Sequence, residues 1–94
     1  MKLRYTARAR DDLEFAFVWY ERQRRGLEFE FLDCIESATR QIIDNPDMHR
    51  IHYKDFRGYV IRHFPFSIFY SIEANDIIAH SIFNNWRDPG TRPE

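Results

Sequence analysis

The second half of this chain gathers the residue types that handle phosphates and protons: Arg57, Arg62, His63, His80, Asn84, Asn85 and Arg87. Metal-free cleavage of RNA needs a base for the 2′-hydroxyl proton, an acid for the leaving 5′-oxygen, and cations for the charge that builds on the phosphorane. His63 or His80 could supply acid or base, and Arg57, Arg62 and Arg87 the cations. Their spacing fits no strict motif, and a solvated arginine-rich sheet face accounts for the same residues. Neighbours on a strand point to opposite faces, so Arg62 and His63 cannot share one. If Tyr59 and Ile61 point into the core, His63 does too; if Val60 and Phe64 do, the assignment reverses. A partly buried, hydrogen-bonded His63 stands evenly against a functional imidazole. No catalytic residue is assigned on this basis, and Arg57, Arg62, His63, Asn84 and Arg87 are the candidates for an active face.

Other chemistries find less support. His49 and His52 lie three apart near the start of a strand, without the i, i+4 helical spacing of a zinc-protease motif, so no metal is expected. Ser67, Ser71 and Ser81 lack the flanking glycines of a nucleophile elbow. Three glycines in the whole chain leave no phosphate-cradling loop, and no cofactor is expected. The single cysteine, Cys34, excludes an internal disulfide, suits a reducing cytosol and reads as a core or boundary residue.

These side chains are positioned by two kinds of element. Leu3 and Tyr5 alternate with Lys2, Arg4 and Thr6, the pattern of a short strand. Thr6 can then cap a helix, with Asp11, Asp12 and Glu14 near its positive end. Leu13, Ala16, Phe17 and Tyr20 form its apolar stripe, and Gly26 follows its cationic end. Leu27, Phe31, Ile35, Ala38 and Ile42 repeat the helical spacing until Asn45-Pro46, so residues 7 to 45 form a short-looped antiparallel hairpin. From Met48 the period is two. A short strand at Ile51 and Tyr53 precedes runs over Tyr59–Phe64, Phe66–Glu73 and Ile77–Phe83, broken by Pro65 and by Ala74-Asn75-Asp76. The predicted fold is α+β: a strand, a helical hairpin, then a mainly antiparallel sheet of three to four strands that the first strand joins.

Length and charge bound the function. Ninety-four residues make one domain, with residues 88 to 94 as a mobile tail. Sixteen aromatics supply a core without staples. No apolar run approaches a membrane span and the N-terminus lacks a signal-peptide core, which points to a cytoplasmic protein with no membrane partner. The net charge of −1 hides a segregation. Lys2, Arg4, Arg8 and Arg10 stand without an acid in the first ten residues, residues 11 to 47 are acidic, and the remainder is close to balanced. Twelve of the fourteen cations are arginine, the planar fork suited to ion-pair recognition. Periodicity assigns Leu13, Phe17 and Tyr20 to the core. Phe15, Trp19, Phe29 and Trp86 are surplus to it and mark a surface for a protein partner.

The whole chain resembles the RelE/ParE superfamily of bacterial type II toxin–antitoxin toxins, in the branch called plasmid stabilisation proteins. The resemblance rests on Ala9-Arg10-Asp11-Asp12-Leu13, Trp19-Tyr20-Glu21, Gly26-Leu27, the segment Phe29 to Leu32, Asn45-Pro46, the run Arg62 to Tyr70, and Arg87-Asp88-Pro89. It implies the same α+β fold and a growth-inhibiting toxin held inactive by a cognate antitoxin, whose C-terminal segment wraps it in a hetero-oligomer. RelE-like members cleave mRNA in the ribosome; ParE-like members are associated with poisoning DNA gyrase. Many relatives carry a histidine just before the terminal Arg-Arg-Asp-Pro, where this chain has Asn84-Asn85-Trp86-Arg87-Asp88-Pro89. Asparagine is no general acid or base, and the near-neutral charge is unlike that of the basic ribosomal nucleases. The expected function is therefore a ParE-like toxin acting on gyrase, with a ribosome-dependent endonuclease or a non-toxic antitoxin-binding module as alternatives.

Overall fold

The computed structural model describes residues 1–86. Arg87 and the tail 88–94 lie outside the described residues. The elements run β1 (Lys2–Tyr5), α1 (Ala7–Gln23), α2 (Leu27–Asp44), β2 (Ile51–Tyr53), β3 (Phe56–Val60), β4 (Phe66–Glu73) and β5 (Asp76–Asn84). The strands form one sheet in the order β1-β5-β4-β3-β2, antiparallel except for β1, which runs parallel to β5. The class is the α+β expected from periodicity, with five strands where three to four plus the first were read. Both edge strands are short and flanked by cations, Lys2 and Arg4 on β1 and Arg50 and Lys54 around β2, which discourages edge-to-edge pairing.

Helix α1 begins where Thr6, extended at φ −71° and ψ 168°, turns its hydroxyl back to accept from the Ala9 amide at 3.1 Å. The expectation of acids at its positive end is corrected: the first turn carries Arg8 and Arg10 and no acid, because Asp11 falls one residue beyond it. Gly26, in the left-handed region at φ 94°, starts α2 only three residues after α1 ends. The buried Glu28 folds back to accept the Gly26 amide at 2.8 Å, satisfying a donor the helix leaves open.

Both helices pack on one face of the sheet. Ala16 and Tyr20 of α1 and Phe31, Ile35, Ala38 and Ile42 of α2 meet Phe66, Ile68 and Tyr70 of β4 and Ile77, Ala79 and Ile82 of β5. Tyr20 stands at the centre, its ring 4.9 Å from Phe64, 5.2 Å from Phe31 and 6.2 Å from Phe66. Full burial of a ring such as Phe31 contributes about 1.5–3 kcal/mol, so this cluster holds the hairpin to the sheet.

One predicted strand is displaced. The run Tyr59–Phe64 is not a strand; β3 covers Phe56–Val60, and residues 61–65 form the bend into β4. The pairing explains why. Val60 faces Ser67, and the chain must reverse before Pro65, which has no amide to give to a ladder. Ile61 donates to the Phe66 carbonyl at 3.0 Å, and His63 takes the left-handed conformation at φ 67°. No helix among the described residues is long and apolar enough to cross a membrane, and no cluster of three or more His, Cys, Asp or Glu among them could hold a metal.

Candidate functional site

A groove of about 810 Å³ lies between α1 and the far end of β5. Tyr20, Ala16 and Phe66 belong to the core and also line it, while Phe15 and Trp19, one helical turn apart, make a ridge along one side. Across from the ridge lie Ile82, Phe83 and Asn84. Trp86 closes one end, fixed by a tight turn in which its amide donates to Asn84 Oδ1 at 2.9 Å. Arg8, Asp11 and Asp12 lie at the groove's edge as its charged lining residues. A second hollow, lined by Glu14, Val18 and Arg22, flanks the other side of the same ridge.

Of the four aromatics singled out as surplus to the core, three come together here. Phe15 is 62% exposed, Trp19 49% and Trp86 84%, although all three line the groove. Phe29, 61% exposed, sits elsewhere, against Phe17 at the start of α2 with ring centroids 6.0 Å apart. Large apolar rings left exposed around one concavity suit a partner that covers them.

The polar candidates do not converge. Arg57 is on the helix side of the sheet, where its Nη1 donates to the carbonyls of Asp47 at 3.1 Å and His49 at 2.7 Å and its Nη2 lies 3.9 Å from the Asp47 carboxylate. It ties the α2–β2 connection to β3. Tyr70 joins the same knot by donating to the Pro46 carbonyl at 2.7 Å, and burial pushes its hydroxyl pKa up to about 12. His49 packs edge-on to Tyr59 and is held below the usual imidazole range, by burial first and by Arg57 second. Arg62 and His63 are both exposed in the 61–65 bend, so the question of which sheet face each occupies does not arise. Arg62 lies close enough to α2 to act electrostatically on Cys34, whose thiol is raised chiefly by burial and then by Asp33 and Glu30. Asn84 holds the Trp86 turn, Asn85 accepts from Ser67 at 2.9 Å, and Arg87 lies outside the described residues.

The sheet face away from the helices carries a group that periodicity alone did not single out. Ser71 Oγ lies 2.7 Å from His80 Nε2 and donates to Glu73 Oε2 at 2.9 Å. The pairing of β4 with β5 shifts between Phe69 and Tyr70, leaving His80 as the extra residue of a bulge, and this turns it onto the Ser71 face. Its ring stacks on Phe56 at 4.5 Å, and burial lowers its pKa against the opposing pull of Glu73. Beside it His52 packs on Phe69 at 5.5 Å, over Gly58. The alternation of Ser67, Ser71 and Glu73 was visible in the sequence; the bulge that adds His80 was not.

Comparison with known proteins is consistent with this architecture. A solved structure titled "Chromosomal ParDE TA system from P. aeruginosa" matches with a TM-score of 0.78 at 18% identity, over 89% of this chain and 95% of that one, which establishes the shared fold. No curated protein gives a significant match. The chain matches the family described as "ParE toxin of type II toxin-antitoxin system, parDE" over residues 3–85, from β1 to the turn before Trp86. That match spans most of the sequence, and the chain belongs to the ParE toxin family of type II toxin–antitoxin systems.

Proposed function

We propose that this chain, as one unit over residues 1–94, is a cytoplasmic toxin neutralised by a cognate antitoxin in a hetero-oligomer, and that once released it acts on DNA gyrase. The observation that carries the reading is the groove ringed by Phe15, Trp19 and Trp86, an apolar surface out of proportion to so small a body. Membership of the ParE family supports gyrase as the target. The dispersal of the arginines supports a non-nucleolytic action: Arg57 is committed to a structural knot, while Arg62 sits beside α2, away from that knot. Inducible expression without the neighbouring antitoxin gene should arrest growth with an SOS response, and co-expression of that gene should restore growth. Normal growth at verified soluble levels would leave only the non-toxic antitoxin-binding module.

A ribosome-dependent mRNA endonuclease is the second reading, favoured by the His80–Ser71–Glu73 group. A neutral imidazole on the face away from the helices, linked through a hydroxyl to a carboxylate, has the composition of a proton-transfer site. Codon-positioned cuts in mRNA after induction, abolished by His80→Ala, would select this reading over gyrase.

A further inference from the structure

On the sheet face away from the helices, Glu73 dictates where the protons sit. An ionised carboxylate only accepts, so the single hydroxyl proton of Ser71 goes to Glu73 Oε2 at 2.9 Å. The Ser71 oxygen then has only lone pairs to offer His80 Nε2 at 2.7 Å, and that contact is a hydrogen bond only if the ring nitrogen donates. His80 is therefore the Nε2–H tautomer in its neutral form, the form that burial favours. Its lone pair is on Nδ1. Among the described residues none hydrogen-bonds Nδ1, and Nδ1 is not one of their unpaired buried side-chain atoms, which are His49 Nε2 and Ser81 Oγ. It is open to solvent, and the stack on Phe56, tilted by 22°, fixes the plane of the ring.

A cation shares this face. Leu3 and Tyr5 pack on the core, so strand alternation turns Arg4 to the opposite side of the sheet. Arg4 is level with Ile78, and Ile78 with Ser71, which puts Arg4 two strands from Ser71 in the same row. Its guanidinium pairs with Asp76 at 3.0 Å, but the side chain is 67% exposed and one carboxylate does not exhaust five donors. An open basic nitrogen near such a cation suits a hydroxyl that neighbours a phosphate. We propose that Ser71 and Glu73 are positioning residues that hold His80 as the Nε2–H tautomer, and that Nδ1 is the base for a ribose 2′-hydroxyl of RNA whose phosphate meets Arg4. The 2′-oxygen gives its proton to Nδ1 and bonds to phosphorus. The bond to the 5′-oxygen breaks, that oxygen takes a proton from water, and the hydroxide left behind removes the proton from the ring. The tautomer is a property of the free chain, whereas its use as a base rests on the endonuclease reading above.

The test is nitrogen NMR of the imidazole rings in the full isotope-labelled chain at about pH 8, where histidine is neutral, paired with a cleavage assay on programmed ribosomes. The lock predicts that the Nδ1–H form of His80 stays below about a tenth in the wild type. Glu73→Gln, at an exposed position, brings an amide that can donate to Ser71. The hydroxyl is then free to turn toward Nε2, and the Nδ1–H form should rise severalfold. In the cleavage assay the same variant should lower kcat about threefold to tenfold with KM unchanged, whereas Arg4→Ala should chiefly raise KM. A wild-type ring that carries its proton on Nδ1, or a Glu73→Gln ring no different from wild type, overturns the positioning role and leaves the endonuclease reading standing. A locked ring in a protein that cuts no mRNA overturns that reading and the base with it. Cleavage that survives His80→Ala overturns the base even with the tautomer as assigned.

Discussion

Replacing Arg57 with alanine separates a structural arginine from a functional one. The side chain is 21% exposed and spans two loop carbonyls, the shorter bond at 2.7 Å, with a more distant ion pair to Asp47. A hydrogen bond from a charged donor contributes about 1.5–3 kcal/mol. The two bonds brace the same connection and are not additive, so Arg57→Ala should cost about 2–4 kcal/mol. A chain of this length has a total stability of roughly 5–14 kcal/mol, so the loss is a large share of it. With a urea m-value of about 1–3 kcal/mol/M, the unfolding midpoint should drop by about 0.7–4 M. Arg57→Lys should recover less than half, because an ammonium on a flexible stem does not hold two divergent carbonyls as the planar fork does. Urea unfolding followed by far-UV circular dichroism, with toxicity scored in parallel, decides the matter. An Arg57→Ala protein with an unchanged midpoint but no toxicity would refute the reasoning and return Arg57 to the active face.

Other consequences follow from the same geometry. Thr6→Ala removes the α1 cap and the bond to the His80 carbonyl and should cost about 1–2 kcal/mol in urea unfolding, with Thr6→Ser retaining most of it. Gly58→Ala would set a Cβ 2.8 Å from the His52 ring and 3.0 Å from Phe69, so the ring must leave its packed position; a loss of about 1–3 kcal/mol is expected, and an unchanged melting curve would contradict the placement of β2 over β3. His49 and His80 both have folded-state pKa values lowered by burial. Their neutral forms are favoured by folding, so this contribution is complete above the unfolded value of about 6.5 and is lost as pH falls below it. The urea midpoint should fall between pH 7.5 and 5.5, by less in a His49→Gln, His80→Gln double variant; an equal fall in both proteins would assign the effect to other groups.

Much of the frame was legible because it is local. The Leu3–Tyr5 alternation, the Thr6 cap and the stripe from Leu13 to Tyr20 each depend on residues within two helical turns, and the structure keeps them except at Phe17, which is half-buried outside the core cluster and packs on the exposed Phe29 instead. The 61–65 bend was not legible: Ile61 and Phe64 are apolar in either conformation, and only the pairing of Val60 with Ser67 fixes where the chain must reverse. Arg57 looked like a functional cation because its carbonyl partners lie eight and ten residues away across a connection with no periodicity. Asp12 looked like a helix-start acid, yet its oxygen caps an amide 70 positions further along the chain. The exposed aromatics were found by counting what the stripe could not hold. Their meeting in one groove required the β5 end and Trp86 to be brought to α1.

The claim at the centre of this account is a non-nucleolytic action on gyrase, and purified components test it most directly. The protein, freed of antitoxin, is incubated with gyrase, ATP and relaxed plasmid, and in parallel with programmed ribosomes. The account predicts lost supercoiling and accumulated cleaved DNA–gyrase complexes, reversed by antitoxin, with the mRNA intact. Unimpaired supercoiling together with codon-positioned mRNA cleavage would contradict it.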